Sequence, residues 1–307
     1  MTETRFDSAH AQQYWREHAS ARGPVDFERD PEGLNNVLHS GQPLWLNQYY
    51  ARFQRMVFEA LLERVDRDLT GTVRRALDVG CGAGRWCRLL VEHGYDTTGV
   101  DLQEELVRRN REAMPNAKFV CAPLQDFSSD ASFDLITTVT VVQHNPPADQ
   151  DRMIAHMRRL LRTGGQVLAL ENIADQDVHV FANSIEEWTA RFERAGFRRK
   201  AVRRYDFSPL LRTQRLVASS VLRLVRGARG AQGEQREQPA RAADAQPPPA
   251  RQPGPQSGDS RLRSALRTVR NGALRVCVAG DSAIEGLLIE LNAPLPTVHC
   301  GFQFEAV

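Results

Sequence analysis

The sequence predicts an α/β fold, a Rossmann-like seven-stranded doubly wound sheet with an N-terminal helical cap. Short apolar runs alternate with amphipathic stretches over residues 73–207, and this alternation is typical of βαβ units. A glycine-rich turn follows the first apolar run and opens a helical stretch, which is the usual context of a ligand-binding turn. A last apolar run at 297–305 can return to the sheet as its seventh strand.

Seven strands are predicted in chain order, at residues 75–79, 97–100, 118–121, 134–142, 166–171, 201–207 and 297–305. The fourth is dense in β-branched residues, which favours a strand buried on both faces. Helices are predicted between them, at residues 85–92, 104–113, 149–161 and 185–195. A glycine pair at 164–165 predicts the turn into the fifth strand. Ser184 with Glu187 three residues later has the pattern of a capping box, and Gly196 ends the helix that follows.

Composition divides the chain into three predicted domains. Residues 1–70 combine helical patterning with many aromatic side chains, and we expect a helical cap or substrate lid there. The core is predicted at 71–210 together with 297–307. Residues 211–296 are predicted to be an insertion, and its segment 227–260 is too rich in Gly, Pro, Gln, Ala and Arg to order itself. Two helices, near 261–276 and 281–292, are expected after that disordered linker.

The overall charge, the apolar runs and the cysteines disfavour several classes of protein. The chain has 307 residues, and its 40 Lys and Arg nearly balance 38 Asp and Glu, so nothing in the charge favours nucleic-acid binding. No apolar run approaches the roughly 18 residues that cross a bilayer, which predicts no integral membrane association. Five cysteines without CxxC spacing suggest neither a zinc site nor a disulfide framework, and we expect a cytoplasmic protein. The oligomeric state is left open.

The glycine turn is the first motif that predicts a ligand-binding site. Its glycines are Gly80, Gly82 and Gly84, whereas a dinucleotide-binding turn needs a glycine at the position of Arg85, which disfavours a dehydrogenase. Glycines let the backbone turn sharply and approach a ligand closely. Asp78 before the turn and Arg85 after it could meet the amino and carboxylate groups of S-adenosylmethionine. The alternative is a tight strand–helix turn without a ligand.

Two further positions point to the same cofactor. Asp101 ends the second strand, where an acid can accept hydrogen bonds from both ribose hydroxyls, and Leu102 beside it is assigned to the same site. After the third strand, Leu124 can pack on an adenine ring and Gln125 can bond its edge; an ordinary turn is the alternative. Together with the glycine turn, these residues predict S-adenosyl-L-methionine as the cofactor.

Candidate catalytic residues follow the fourth and fifth strands. His144 ends the fourth strand, and its imidazole could remove a proton from an attacking amine or hydroxyl, or it could only shape the pocket. Asp177 is the second candidate for this role. The aromatic-rich N-terminal segment could roof the site and contact substrate, or it could be a cap packed on the sheet; its candidate contacts are His39, Trp45, Asn47, Tyr49 and Tyr50.

These motifs together resemble the class I S-adenosylmethionine-dependent methyltransferase superfamily over 73–207 and 297–307, through V-G-C-G-A-G-R, V-D, F-D-L-I and L-L-R-T-G-G. A narrower set resembles protein α-N-terminal methyltransferases: residues 119–127, Asp134, His144, Glu171-Asn172 and Tyr14-Trp15. That family carries Gln and Trp where this chain has Val139 and Thr140, and it has no counterpart of residues 208–296.

The narrower resemblance implies roles for individual residues. Arg85 would hold the cofactor carboxylate, Asp101 the ribose and Leu124-Gln125 the adenine. Trp15 would lie over the cofactor, and His144 with a following acid would bind and deprotonate an amine. We also place Asn172 among the candidate substrate contacts.

The predicted function is methyl transfer from S-adenosylmethionine to an O, N or C nucleophile of a small molecule, in natural-product tailoring. An aromatic-rich cap suits an enclosed apolar substrate. One alternative is a different enzyme, a peptide or protein α-N-terminal methyltransferase. The other alternative is a protein without enzymatic activity, a scaffold that binds the cofactor without transferring its methyl group.

Overall fold

A computed structural model describes Gln13, Trp15 and residues 26–38, 42–69, 74–174, 180–207 and 259–307. The chain divides into two compact units, one formed by Met1–Phe207 with Glu285–Val307 and the other by Ser208–Ile284. The predicted division into cap, core and insertion stays a prediction. The predicted linker, up to residue 258, lies outside the described residues.

One seven-stranded sheet forms the centre of the first unit, in the order β3-β2-β1-β4-β5-β7-β6. Neighbours pair in parallel from β3 to β5, and β7 is antiparallel to both β5 and β6. This confirms the predicted α/β sheet and the return of the last strand to it. The strands are β1 (Arg74–Val79), β2 (Tyr95–Asp101), β3 (Lys118–Cys121), β4 (Phe133–Val139), β5 (Leu161–Asn172), β6 (Phe197–Tyr205) and β7 (His299–Ala306).

Helices connect the strands and cover the sheet. In chain order they are α1 (Leu34–Val37), α2 (Leu44–Asp68), α3 (Arg85–Glu92), α4 (Glu104–Ala113), α5 (Pro147–Leu160), α6 (Ile185–Arg194) and α7 (Asp259–Glu290). The capping box at α6 is confirmed: the Glu187 N–H donates to Ser184 Oγ at 3.1 Å, and the Ser184 N–H donates to Glu187 Oε2 at 2.8 Å. Gly196 follows with φ +87°, a conformation that suits glycine.

Four predicted boundaries were wrong. Strand β5 begins at Leu161, five residues before the predicted start, because Leu161 already pairs with Phe133 of β4; the glycine pair at 164–165 therefore lies within the strand. Strand β4 ends at Val139 rather than at residue 142, because Thr140 has φ +55° and takes the backbone out of the sheet. Strand β6 begins at Phe197, four residues earlier than predicted, because it pairs with the full length of β7. The two helices predicted after the linker are one helix, α7, because Gly280 is tolerated within it.

Helix α2 packs directly on the antiparallel part of the sheet. A Cβ at Gly301 of β7 would lie 2.7 Å from Val57 Cγ1 and 2.8 Å from Leu61 Cδ1, so only glycine allows this approach. Among the described residues, no helix is long and apolar enough to cross a membrane. Within the same residues, no group of three or more His, Cys, Asp or Glu is arranged to hold a metal ion.

Candidate active site

A cavity lies at the carboxyl ends of β1, β2 and β4. The strand order reverses between β1 and β4, and such a reversal is where open α/β sheets bind ligands. Eight of the residues predicted from sequence line it: Trp15, Gly80, Gly82, Asp101, Leu102, Leu124, Gln125 and His144. The others are Val79, Val100, Gln103, Ala122, Pro123, Val139, Thr140, Val141, Asn145 and Met153.

The glycine turn between β1 and α3 needs its glycines for two reasons. Gly80 and Gly84 have φ +67° and +75°, which L side chains rarely adopt. Space is also short: a Cβ at Gly80 would lie 2.5 Å from Val141 Cγ2, and one at Gly84 would lie 2.4 Å from Met114 Cε. Gly80 therefore brings the turn against the segment that follows β4, and this contact forms one wall of the cavity.

Asp101 joins the glycine turn to the end of β2. Its Oδ2 accepts the Gly82 N–H at 2.7 Å, and its Oδ1 accepts the Gln103 N–H at 2.9 Å. Burial raises the pKa of this carboxyl, while the N–H groups of Gln103 and Gly82 lower it. A carboxylate offers about four lone-pair positions, so each oxygen could accept one more hydrogen bond, as ribose hydroxyls would require.

His144 lies in a short 3₁₀ turn, Val142–His144, directly after β4. The buried carboxyl of Glu171 holds this turn: Oε1 accepts the Val142 N–H at 3.2 Å, and Oε2 accepts the Gln143 N–H at 3.1 Å. Burial raises the pKa of Glu171 to about 8, against the lowering effect of these N–H groups. The His144 ring meets Trp15 edge to face, with centroids 4.7 Å apart.

Comparison with known proteins identifies a domain within this chain. Residues 76–165 match the model of a methyltransferase domain. These residues form a methyltransferase domain, and the chain resembles the class I S-adenosylmethionine-dependent methyltransferase superfamily. The resemblance found in the sequence is thereby confirmed for the superfamily, and S-adenosylmethionine is the cofactor of this domain family.

Curated relatives match the same part of the chain. The ubiquinone biosynthesis O-methyltransferase of Coxiella burnetii (strain RSA 493 / Nine Mile phase I) is 32% identical over 143 residues, which are 45% of this chain and 60% of the relative. The trans-aconitate 2-methyltransferase of Azoarcus sp. (strain BH72) is 32% identical over 157 residues, 48% of this chain and 60% of the relative. The chain thus spans about three fifths of the length of these relatives.

A solved structure shares the fold. The magnesium protoporphyrin IX methyltransferase from Synechocystis PCC 6803, solved with bound SAM, superposes with a TM-score of 0.50 at 16% sequence identity. The match covers 66% of this chain and 91% of that one. At this identity the likeness describes the fold alone.

Asp78, which was predicted to bind the cofactor, is not among the described residues that line the cavity. It is buried in the sheet, where Oδ1 accepts the Thr137 hydroxyl at 2.8 Å and Oδ2 accepts the Cys87 thiol at 3.3 Å. Burial, together with the charge of Asp101, raises the pKa of Asp78 to about 7, against the lowering effect of the Thr137 and Cys87 hydrogen bonds. The acid thus connects β1, β4 and α3 beneath the glycine turn.

Arg85 also lies away from the cavity. Its guanidinium donates to Gln54 Oε1 at 2.8 Å and to the Ala51 carbonyl at 2.6 Å, and its Nε is 3.3 Å from Glu32 Oε2. The contacts with Gln54 and Ala51 hold the side chain against α2. Arg85, which was predicted to bind the cofactor carboxylate, therefore links α2 to α3 in this structure.

The candidate substrate contacts that the structure describes do not line the cavity. Asn47 is buried and donates to Asn35 Oδ1 at 2.7 Å, and Tyr49 is buried against Phe53. Asn172 is buried and accepts the Ala174 N–H through its side chain at 2.9 Å. These residues, together with Trp45 and Tyr50, are absent from the cavity lining that the structure describes. His39 and Asp177 lie outside the described residues.

Thr140 was not predicted as a site residue. It lines the cavity, and its φ of +55° is rare for a β-branched residue. Its N–H donates to the Leu170 carbonyl at 2.7 Å, which fixes the bend after β4. Asn145 and Met153 were missed as well. Their proximity to His144 along the chain was the available signal.

Proposed function

We propose that this protein transfers the methyl group of S-adenosylmethionine to a nucleophile of a small molecule, in natural-product tailoring. The observation that supports this most is the placement of eight predicted residues around one cavity at the switch point of the sheet. They come from separate segments between Trp15 and His144, so their convergence depends on the fold rather than on sequence proximity.

Within this proposal, the cavity has a cofactor end and an acceptor end. The turn at Gly80 and Gly82 would lie along the methionine part, and Asp101 would accept the ribose hydroxyls. Leu124 and Gln125 would contact the adenine. His144, with Trp15 across from it, would face the reacting methyl group.

When bound, S-adenosylmethionine supplies a methyl carbon made electrophilic by its sulfonium. The protein then has to hold the nucleophile about 3–3.5 Å from that carbon, in line with the breaking bond. Apolar side chains on the cavity, such as Val141 and Met153, help to exclude water. A nearby base assists only if the nucleophile still holds its proton, and His144 is the candidate for that role.

A small-molecule acceptor is supported by the names of the curated relatives, which are a ubiquinone biosynthesis O-methyltransferase and a trans-aconitate 2-methyltransferase. Both names describe small substrates. A cytoplasmic location and the absence of a nucleic-acid partner stay predictions from composition.

Incubation with S-adenosylmethionine and a panel of phenols, carboxylic acids and amines tests the proposal. We expect S-adenosylhomocysteine to form only with an acceptor, together with a product heavier by one methylene unit in mass spectrometry. A set of N-terminal peptides in the same assay tests the α-N-terminal alternative. Tight cofactor binding without turnover on any acceptor would instead favour a cofactor-binding scaffold.

A further inference from the structure

Gln143 connects the end of β5 to His144. Its side chain is 4% exposed, its Oε1 accepts the Asn172 N–H at 2.6 Å, and its Nε2 lies 3.5 Å from His144 Nε2. Its backbone is held as well, since its N–H donates to Glu171 and its carbonyl accepts the Phe181 N–H at 2.7 Å. Gln143 is thus fixed on three sides, and its amide has one orientation available.

The backbone N–H of Asn172 decides that orientation. An N–H can only donate, so the amide atom that faces it must be the oxygen of Gln143. The amide NH₂ therefore faces the His144 ring. An NH₂ group can only donate, so a hydrogen bond across the 3.5 Å between the two nitrogens requires His144 Nε2 to accept, and a neutral imidazole that accepts at Nε2 carries its proton on Nδ1.

We propose that Gln143 is a positioning residue that holds His144 as the neutral Nδ1–H tautomer, and that the methyl acceptor is consequently an oxyanion, a carboxylate or a phenolate. The basic nitrogen of the ring is already engaged by the Gln143 amide. This contact argues against His144 as the base: an acceptor that must lose a proton during transfer would find its basic nitrogen occupied, whereas an oxyanion needs no base. This inference rests on the proposed function and specifies its acceptor.

The reaction then balances without a proton. A lone pair of the acceptor oxygen forms the new C–O bond as the C–S bond breaks, and the bonding pair stays on sulfur as a neutral thioether. The products are a methyl ester or aryl ether and S-adenosylhomocysteine. No proton is released, so His144 can stay neutral throughout.

Nitrogen-15 NMR of the full chain, labelled at histidine, measures the tautomer without any activity assay. The His144 signals are assigned by their loss in His144→Ala. In the wild-type protein at a pH where the ring is neutral, we expect a protonated Nδ1 and an unprotonated Nε2. A protonated Nε2 would overturn the role of Gln143.

Two substitutions of Gln143 test whether its side chain sets the tautomer of His144. Gln143→Glu places a carboxylate oxygen against Nε2, so we expect the proton to move to Nε2 and the ring to hold a second proton to higher pH. The carboxyl of Glu171, which binds the same turn, is present in both proteins and does not account for the difference. Gln143→Leu should leave a mixture of tautomers.

Gln150→Leu is the matched control for both substitutions. Gln150 is equally buried and also bonds to the Phe181 segment, since its Nε2 donates to the Phe181 carbonyl at 2.9 Å. Its Oε1 accepts the Asn183 amide N–H at 2.9 Å. We therefore expect Gln150→Leu to keep the wild-type tautomer, and a shift as large as that of Gln143→Leu would contradict a specific role of Gln143.

Acceptor chemistry is tested separately. We compare kcat/KM for sets of compounds that share one scaffold. The members of a set differ only in carrying a carboxylate, a phenol, an alcohol or an amine. We expect turnover of the oxyanions, with a pH profile that follows ionisation of the acceptor. Methylation of amines or alcohols alone would overturn the acceptor class and leave the methyltransferase proposal standing, whereas loss of turnover on every acceptor would contradict the latter.

Discussion

The backbone N–H of Gly82 donates to the carboxylate of Asp101 at 2.7 Å, so the glycine turn and the end of β2 form one rigid wall of the cavity. Asp101→Ala removes this acceptor and the proposed ribose contact together. Because hydrogen bonds to a charged group contribute about 1.5–3 kcal/mol each, we expect S-adenosylmethionine to bind at least ~100-fold more weakly in calorimetry. Asp96→Asn, near the other end of the same strand, should leave the affinity unchanged. Equal affinity of Asp101→Ala and wild type would remove the proposed cofactor site.

Substitution of Gly80 and of Gly94 by alanine distinguishes the cost of backbone strain from the cost of side-chain crowding. Both have positive φ, +67° and +81°, but a Cβ at Gly80 would lie 2.5 Å from Val141, whereas at Gly94 the nearest neighbouring atom would be 3.9 Å away. Gly94→Ala should cost about 1–2 kcal/mol of unfolding free energy from strain alone. Gly80→Ala should cost roughly 1–3 kcal/mol more and weaken cofactor binding, because Val141 must move. Denaturant unfolding and calorimetry on both variants check this, and equal behaviour of the two would contradict it.

Arg85→Ala tests whether Arg85 joins α2 to α3 or binds the cofactor. Its partners Gln54, Ala51 and Glu32 all lie in or before α2, so we expect lower stability, by about 1–3 kcal/mol, from the buried acceptors left without a donor. Cofactor affinity should fall much less than in Asp101→Ala. The opposite result, normal thermal stability with lost affinity, would restore the role expected from the sequence.

Buried carboxyls make stability depend on pH. The folded-state pKa is about 8 for Glu171 and about 7 for Asp78, both above their ordinary values, so the folded protein keeps protons that the unfolded chain has released. The stability from these groups is fully present at acid pH below the ordinary pKa values and is lost as the pH rises through about 7 to 8. Where a carboxyl is protonated in the folded protein and ionised in the unfolded chain, it lowers the unfolding free energy by about 1.4 kcal/mol for each rise of one in pH. We therefore expect stability to decline from about pH 5 to about pH 8.

Glu171→Gln isolates that effect. Its amide cannot ionise, but its oxygen can still accept one N–H of the turn that carries His144. Urea unfolding across this pH range should give a flatter curve for Glu171→Gln than for wild type. The exposed Glu63→Gln on α2 is the control and should keep the wild-type slope. Parallel curves for all three proteins would show that Glu171 does not hold its proton in the folded state.

Features fixed by neighbours in the sequence were predictable. The glycines of the turn, Asp101 at the end of β2 and the Ser184 capping box each depend on residues a few positions away, and the structure has them where the pattern placed them. The sequence also allowed for the return of the last apolar run to the sheet, and β7 takes that place.

Features fixed by distant partners were not predictable. Arg85 meets Gln54, 31 residues away, and Asp78 meets Thr137, 59 residues away, so their surroundings depend on packing that a local pattern does not contain. Thr140 has no intrinsic preference for positive φ; a carbonyl of β5 imposes it. The link from Glu171 and Gln143 to His144 likewise exists only once β4 and β5 lie side by side.

Strand β7 constrains the route by which the chain can fold. It lies between β5 and β6, so residues 206–298 must first close as a loop before β6 can join the sheet at all. The equilibrium cost of such a loop grows slowly, about 0.6 kcal/mol for each doubling of its length, but distant strand pairing is slow. Until it happens, β5 presents an open edge that can pair with other chains. Shortening the loop should therefore speed assembly and limit aggregation during refolding, with little change in final stability.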